Sequence, residues 1–172
     1  ESKEMRTKYA MNLWESRKRK GETQYSARIN MGKRNYFGAM MLLEGDADGM
    51  ISGYSRAYPK VLKPVFEVLG RAKGVKNAST VNIMITERGP MFLADTSINI
   101  DPNAEELADI AEMTAKVAAT FGFSPVMPLL SYSNFGSSTH PNALKVKEAV
   151  RIFHERNPDL YVAGKIQTDF AF

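Results

Sequence analysis

The chain has 172 residues, with 23 Lys and Arg against 19 Asp and Glu, for a formal net charge of +4. Its 44% hydrophobic and 24% charged residues are globular averages, which excludes a disordered tail, a collagen-like repeat or a coiled coil. No apolar run nears the roughly 20 residues that cross a bilayer, and no leader pattern opens the chain. The absence of cysteine excludes disulfides, zinc–thiolate sites and a thiol nucleophile, so a cytoplasmic setting is expected. Because it opens at Glu1 rather than Met, we expect a piece of a longer protein.

Residues 1–38 carry 10 basic and 4 acidic side chains, so the positive charge is concentrated at the start. A first helix is predicted from about Lys3 to Lys18, with Tyr9, Leu13 and Trp14 at helical spacing and an end near Gly21. Its basic run Arg17-Lys18-Arg19-Lys20 has two readings. It is a solvated helix C-terminus, where cations complement the macrodipole, or an anion site whose guanidinium and ammonium groups match phosphate oxygens. Aromatic residues are not interleaved with it, so nucleic acid is not an expected partner. A second helix is predicted over Tyr25 to Glu44, with Gly32 and Gly38 either weakening it or permitting close packing. Gly45 to Gly49 turn the chain into a short buried strand, Met50-Ile51-Ser52, ending at Gly53. Pro59 opens a third helix to about Leu69, and Pro64 is expected to strain or break its middle.

From residue 75 the pattern becomes strand-rich. Ser79 to Thr86 and Met91 to Asp95 read as a hairpin around Glu87-Arg88-Gly89-Pro90. Asp101 is the expected N-cap of a helix with Pro102 at its first position, and Gly122 stops that helix. Its apolar side holds Leu107, Ile110, Ala111, Thr114, Val117, Ala118 and Phe121. A strand over Val126 to Ser131, a helix from Pro141 to before Pro158 and a strand over Leu160 to Ala163 complete the pattern. The alternation predicts an α/β fold with a largely parallel, three-layered sheet.

Two strand-to-helix connections are candidate binding sites. Ser131, Tyr132, Ser133, Gly136, Ser137 and Ser138 lie where an open α/β sheet binds ligands, and hydroxyls and amides there can donate to phosphate oxygens. An ordinary polar loop is the competing reading, since the segment matches neither the Walker A nor the dinucleotide glycine pattern. The second candidate joins Ser52, Gly53 and Arg56, with Lys63 nearby, against a plain turn with surface cations. Asp46, Asp48 and Gly49 do not make a calcium loop, because Ala57 stands where the bidentate glutamate belongs. His140 and His154 lack metal-ligand spacing, no metal site is expected, and the ten methionines read as core packing.

Taken in order, several segments resemble the phosphotransacetylase (phosphate acetyl/butyryltransferase) family. They are Glu15-Ser16-Arg17-Lys18-Arg19-Lys20-Gly21, Asp48-Gly49-Met50-Ile51-Ser52-Gly53, Phe92-Leu93-Ala94-Asp95, Leu130-Ser131-Tyr132-Ser133 with Gly136-Ser137, and Gly164-Lys165-Ile166-Gln167-Thr168-Asp169. Ser133-Asn134-Phe135-Gly136-Ser137-Ser138, with Ile98-Asn99-Ile100-Asp101-Pro102, is more similar to the C-terminal phosphotransacetylase-like domain of bacterial NADP-dependent malic enzymes. The resemblance implies a two-lobed α/β/α fold like that of isocitrate and isopropylmalate dehydrogenases. Residues 1–74 would end one lobe, and residues 75–172 would begin the second. It further implies coenzyme A or acetyl-CoA as ligand in a cleft between lobes, phosphate binding at Arg17, and a homo-oligomer. At a second phosphate position the family arginine is replaced by Lys63, which keeps the charge and loses the bidentate fork; Arg56 is a candidate substitute. The family's catalytic Ser-Arg segment lies beyond Phe172, so no catalytic residue is assigned. NADP and a divalent metal are expected only in a separate malic-enzyme domain. Three functions follow: an acetyl-CoA-sensing domain of a malic enzyme, an active phosphate acetyltransferase, or a dimerisation module with an empty cleft.

Overall fold

The computed structural model describes residues 2–134 and 136–171, apart from the side chains of Lys165 and Phe170. The chain divides into two compact units, Glu1–Gly74 and Val75–Phe172.

The first unit is helical. α1 (Lys3–Arg17) starts where the Ser2 hydroxyl accepts from Met5 N–H, and a 3-10 turn over Lys18–Lys20 carries it to Gly21 in the left-handed region at φ 89°. The single helix expected over 25–44 is instead two, α2 (Gln24–Asn30) and α3 (Arg34–Glu44). Thr23 and Ser26 form a reciprocal capping box on α2. The break has a local cause: Gly32 and Lys33 N–H turn back to the Ile29 and Asn30 carbonyls, three residues away, so the helix tightens and stops. Tyr9, Leu13, Met31, Phe37 and Met40 make the core, and the phenol of Tyr9 donates to Asp46 at 2.5 Å. Asp46 thus serves a buried hydroxyl, and Tyr9 is pushed up to about 12 by burial and by that bond.

The buried strand expected at Met50 to Ser52 does not form. Ile51 is fully exposed, and the segment pairs with no strand among the described residues. Met50 instead lays its sulfur over Gly38, where an added Cβ would lie 2.8 Å from Sδ, so this glycine permits a close approach. α4 (Tyr58–Val68) runs through Pro64 without breaking. Proline cannot donate to the carbonyl four residues back. That carbonyl, Lys60 O, accepts from the Asn35 side chain at 3.3 Å, so the lost ladder bond is replaced from α3.

The second unit is mixed α/β. β1 (Val81–Thr86) and β2 (Gly89–Ala94) pair antiparallel across a two-residue turn, Glu87-Arg88. α5 (Ala104–Thr120) has Asn103 as its N-cap in place of the expected Asp101, two residues later. Asn103 accepts from Glu106 N–H and Glu106 answers to Asn103 N–H, while Asp101 pairs with Lys145 at 2.5 Å. Phe121 is 58% exposed rather than buried, although its ring lies 5.9 Å from that of Phe92 on β2. β3 (Val126–Leu130) and β4 (Tyr161–Ile166) pair in parallel through α6 (Pro141–Arg156), and a short α7 (Thr168–Ala171) follows. Met127 and Val162 face the core shared with Ala108, Ala111, Ala115 and Phe153, whereas Val126 and Tyr161 remain exposed. The strands therefore form two small sheets, not one large parallel sheet between two helical layers, because each ladder recruits only one partner among the described residues.

Candidate functional site

In the first unit, two of the sequence candidates, Arg17 and Lys63, meet at one carboxylate, Glu67. Arg17, at the last position of α1, donates from Nη1 to the Glu67 carbonyl at 3.0 Å and holds Nη2 3.4 Å from Glu67 Oε1. Its Nε is buried without a hydrogen bond among the described residues, 4.0 Å from Glu22 Oε2. Lys63 lies one turn before Glu67 on α4 and reaches Oε1 at 3.9 Å. The buried Tyr36 phenol donates to Glu67 Oε2; burial and this bond push its pKa up, so it remains a proton donor. Ser52 joins through α3, its hydroxyl donating to Asn35 Oδ1 at 2.8 Å. Asn35 therefore serves both the carbonyl left open by Pro64 and the Ser52 hydroxyl of the second loop candidate. Gly53 adopts φ 121°, open only to glycine at low cost, and Arg56 is exposed beside it.

In the second unit, Ser131 N–H donates to Ile166 O at 2.9 Å, extending the β3–β4 pairing by one residue. The loop that follows is fastened by Gln167 at the end of β4. Asn134 and Gln167 exchange two hydrogen bonds of 2.6 and 2.7 Å, and Gln167 Nε2 donates to Tyr132 O at 2.6 Å. Tyr132 and Ser138 hydroxyls meet at 2.5 Å, and Ser138 accepts from His140 N–H at 3.2 Å. His140 Nδ1 accepts from Asn142 N–H and caps α6, while its ring meets Tyr132 edge-on at 5.9 Å. Gly136 takes φ 83°, and Ser137 N–H donates to Asn134 O. Ser133 is only 6% exposed, and its hydroxyl has no partner among the described residues. A buried hydroxyl left unpaired is costly, so it is the loop's most telling atom. Phe135, part of the motif shared with malic enzymes, lies outside the described residues.

Asp95 is a different kind of centre. Its Oδ1 accepts from Thr80 N–H and Oγ1–H and from Ser97 N–H, and its Oδ2 accepts from Asn99 N–H and Nδ2. Burial pushes the carboxyl up, but these donors outweigh it and hold it well below the usual carboxylate range. With every lone-pair direction occupied, Asp95 knots the ends of β1 and β2 to the next turn. Glu67, Tyr36, Asn35 and Gln167 were not among the sequence candidates. Only Glu67, four residues after Lys63 on a predicted helix, carried a pairing signal.

Solved structures share this fold. A phosphotransacetylase from Streptococcus pyogenes aligns with a TM-score of 0.80 and 35% identity, over 99% of this chain and 51% of that one. EutD phosphotransacetylase from Staphylococcus aureus aligns at 0.83 and 29% identity, over 96% and 51%. The fold is therefore a phosphotransacetylase-type α/β fold. The family model of phosphate acetyl/butaryl transferase matches residues 1–172, and the chain belongs to that family. A phosphate acetyltransferase from Thermoanaerobacterium thermosaccharolyticum is 39% identical over 171 residues, covering 95% of this chain and 52% of its own length. An NADP-dependent malic enzyme from Salmonella typhimurium is also 39% identical, over 164 residues, 95% of this chain and 22% of its own length. The chain thus spans about half, or less, of the length of these relatives. Among the described residues, no helix is long and apolar enough to cross a membrane.

Proposed function

We propose that this chain is the phosphate- and acetyl-CoA-binding part of a malate-oxidising, NADP-dependent enzyme, and that it senses acetyl-CoA rather than turning it over. The observation that carries this reading is the state of its cations. Lys63, which the family resemblance sets at an arginine position, and Arg17 both face Glu67, 3.9 and 3.4 Å from its Oε1. Acetyl transfer between coenzyme A and phosphate needs cations preorganised on developing charge; binding needs only that a ligand favour one of two states. A coupling of about 1–3 kcal/mol between this domain and a distant catalytic one is the usual size of such regulation. On this reading Arg17, Ser52, Gly53, Arg56 and Lys63 are the ligand-binding residues of the first unit, and Ser131, Tyr132, Ser133, Gly136, Ser137 and Ser138 are those of the second. The assembly is a homo-oligomer in the cytoplasm, and NADP and a divalent metal belong to a separate catalytic domain.

A second reading is favoured by the 39% identity to a phosphate acetyltransferase over 52% of its length. There the coenzyme A thiolate would attack the acetyl carbon of acetyl phosphate, a base having taken the thiol proton, and inorganic phosphate would leave. Arg17 would steady the phosphate, and loop donors would stabilise the tetrahedral oxyanion. One pair of assays on the intact protein separates the readings. Malate-dependent NADP reduction that changes with acetyl-CoA, without acetyl-CoA formation from acetyl phosphate, supports the sensor. Acetyl-CoA formation with no malate activity supports the transferase, and neither activity rejects both.

A further inference from the structure

We propose that Glu67 is a built-in competitor for the anion received by Arg17, so that a phosphate-bearing ligand enters this cluster of the first unit by exchanging with the Glu67 carboxylate. The inference rests on the reading of Arg17 as a phosphate ligand and adds the group that regulates its availability. A guanidinium recognises carboxylate and phosphate with the same fork. In this structure that fork is taken up internally: Nη1 is on the Glu67 carbonyl, Nη2 is 3.4 Å from the Glu67 carboxylate, and Nε faces Glu22 at 4.0 Å. Two cations, Arg17 and Lys63, are met by two carboxylates, Glu67 and Glu22. The cluster is formally neutral, and a neutral cluster gives an incoming anion little Coulombic gain.

The carboxylate is also held in place from the side. The Tyr36 hydroxyl donates to Glu67 Oε2, and Tyr36 itself is 5% exposed in the helical core. Glu67 thus has an anchor that does not depend on Arg17. Once a ligand takes the fork, the carboxylate retains Tyr36 and Lys63 as partners, so exchange leaves no orphaned charge. Arg17 Nε, buried and without a hydrogen bond among the described residues, is a donor that a tetrahedral anion can satisfy and the single carboxylate does not.

Calorimetric titration of the intact protein with sulfate tests this, because sulfate keeps its charge across neutral pH. Glu67→Gln should tighten sulfate about tenfold by leaving the cluster with one net positive charge, whereas Glu67→Asp, which keeps the charge, should stay near wild type. Tyr36→Phe frees the carboxylate from its anchor and should shift affinity about two- to threefold, providing a second test if Glu67→Gln fails to fold. Arg17→Gln should abolish binding in either background. If Arg17→Gln weakens sulfate but Glu67→Gln also weakens it or leaves it unchanged, Glu67 is only a structural partner and the competitor is overturned. If Arg17→Gln leaves sulfate binding intact, the phosphate reading of Arg17 fails and the competitor falls with it.

Discussion

Arg17 and Glu67, fifty residues apart, meet twice: once through the Glu67 backbone carbonyl at 3.0 Å and once through its carboxylate at 3.4 Å. This double contact ties the end of α1 to the end of α4. Both side chains are less than a quarter exposed, so the pair is neither a surface bridge of negligible weight nor a fully buried one. Replacing Arg17 with Gln should cost about 1–3 kcal/mol, read as a lowered urea midpoint at unchanged slope.

Asp95 makes acid stability testable. Its folded pKa lies below that of an unfolded aspartate, near 3.9. The stability it contributes is therefore complete above about pH 4 and is lost as pH falls toward the folded value. Asp95→Asn should cost about 1–3 kcal/mol at neutral pH, because an amide nitrogen would face donors. It should also flatten the decline in stability below pH 4, measured by denaturant unfolding from pH 6 to 2.

Gly164 on β4 touches Val150 on α6 so closely that an added Cβ would overlap Val150 Cγ2. Valine has few χ1 choices in a helix and cannot easily turn away. Gly164→Ala should lower stability by about 1–3 kcal/mol, and Val150→Ala in the same chain should recover part of the loss. A double-mutant cycle with thermal melts reads the coupling.

Much of this fold was legible because its signals are local. Gly21 ends the first helix, the apolar stripe of α5 and Pro141 at the start of α6 needed no distant partner, and the β1–β2 hairpin needed only its turn. The misreadings share a cause. Pro64 did not break α4 because Asn35, on another helix, took up the freed carbonyl. Met50 to Ser52 had strand composition but no strand to pair with among the described residues. Residue type and family resemblance marked Arg17 and Lys63 as phosphate ligands, yet nothing local showed that Glu67 would meet both. Long-range side-chain pairing is the part of a site that periodicity does not encode.

Ser133 separates a ligand role from a packing role. Its hydroxyl is buried and has no partner among the described residues, so Ser133→Ala should leave the unliganded protein as stable, or more stable by up to about 1 kcal/mol. The same change should weaken acetyl-CoA binding. Thermal melts with and without ligand read both effects, and destabilisation of the unliganded protein would show that the hydroxyl already has a structural partner.

The central claim is that these polar loops and cations bind a phosphorylated acyl carrier. Calorimetric titration of the intact protein with acetyl-CoA, repeated with Arg17→Gln and with Ser133→Ala, tests it most directly. Saturable binding that weakens at least tenfold with Arg17→Gln and measurably with Ser133→Ala is the expected result. Absence of binding to the wild-type protein, or binding indifferent to both substitutions, would contradict it.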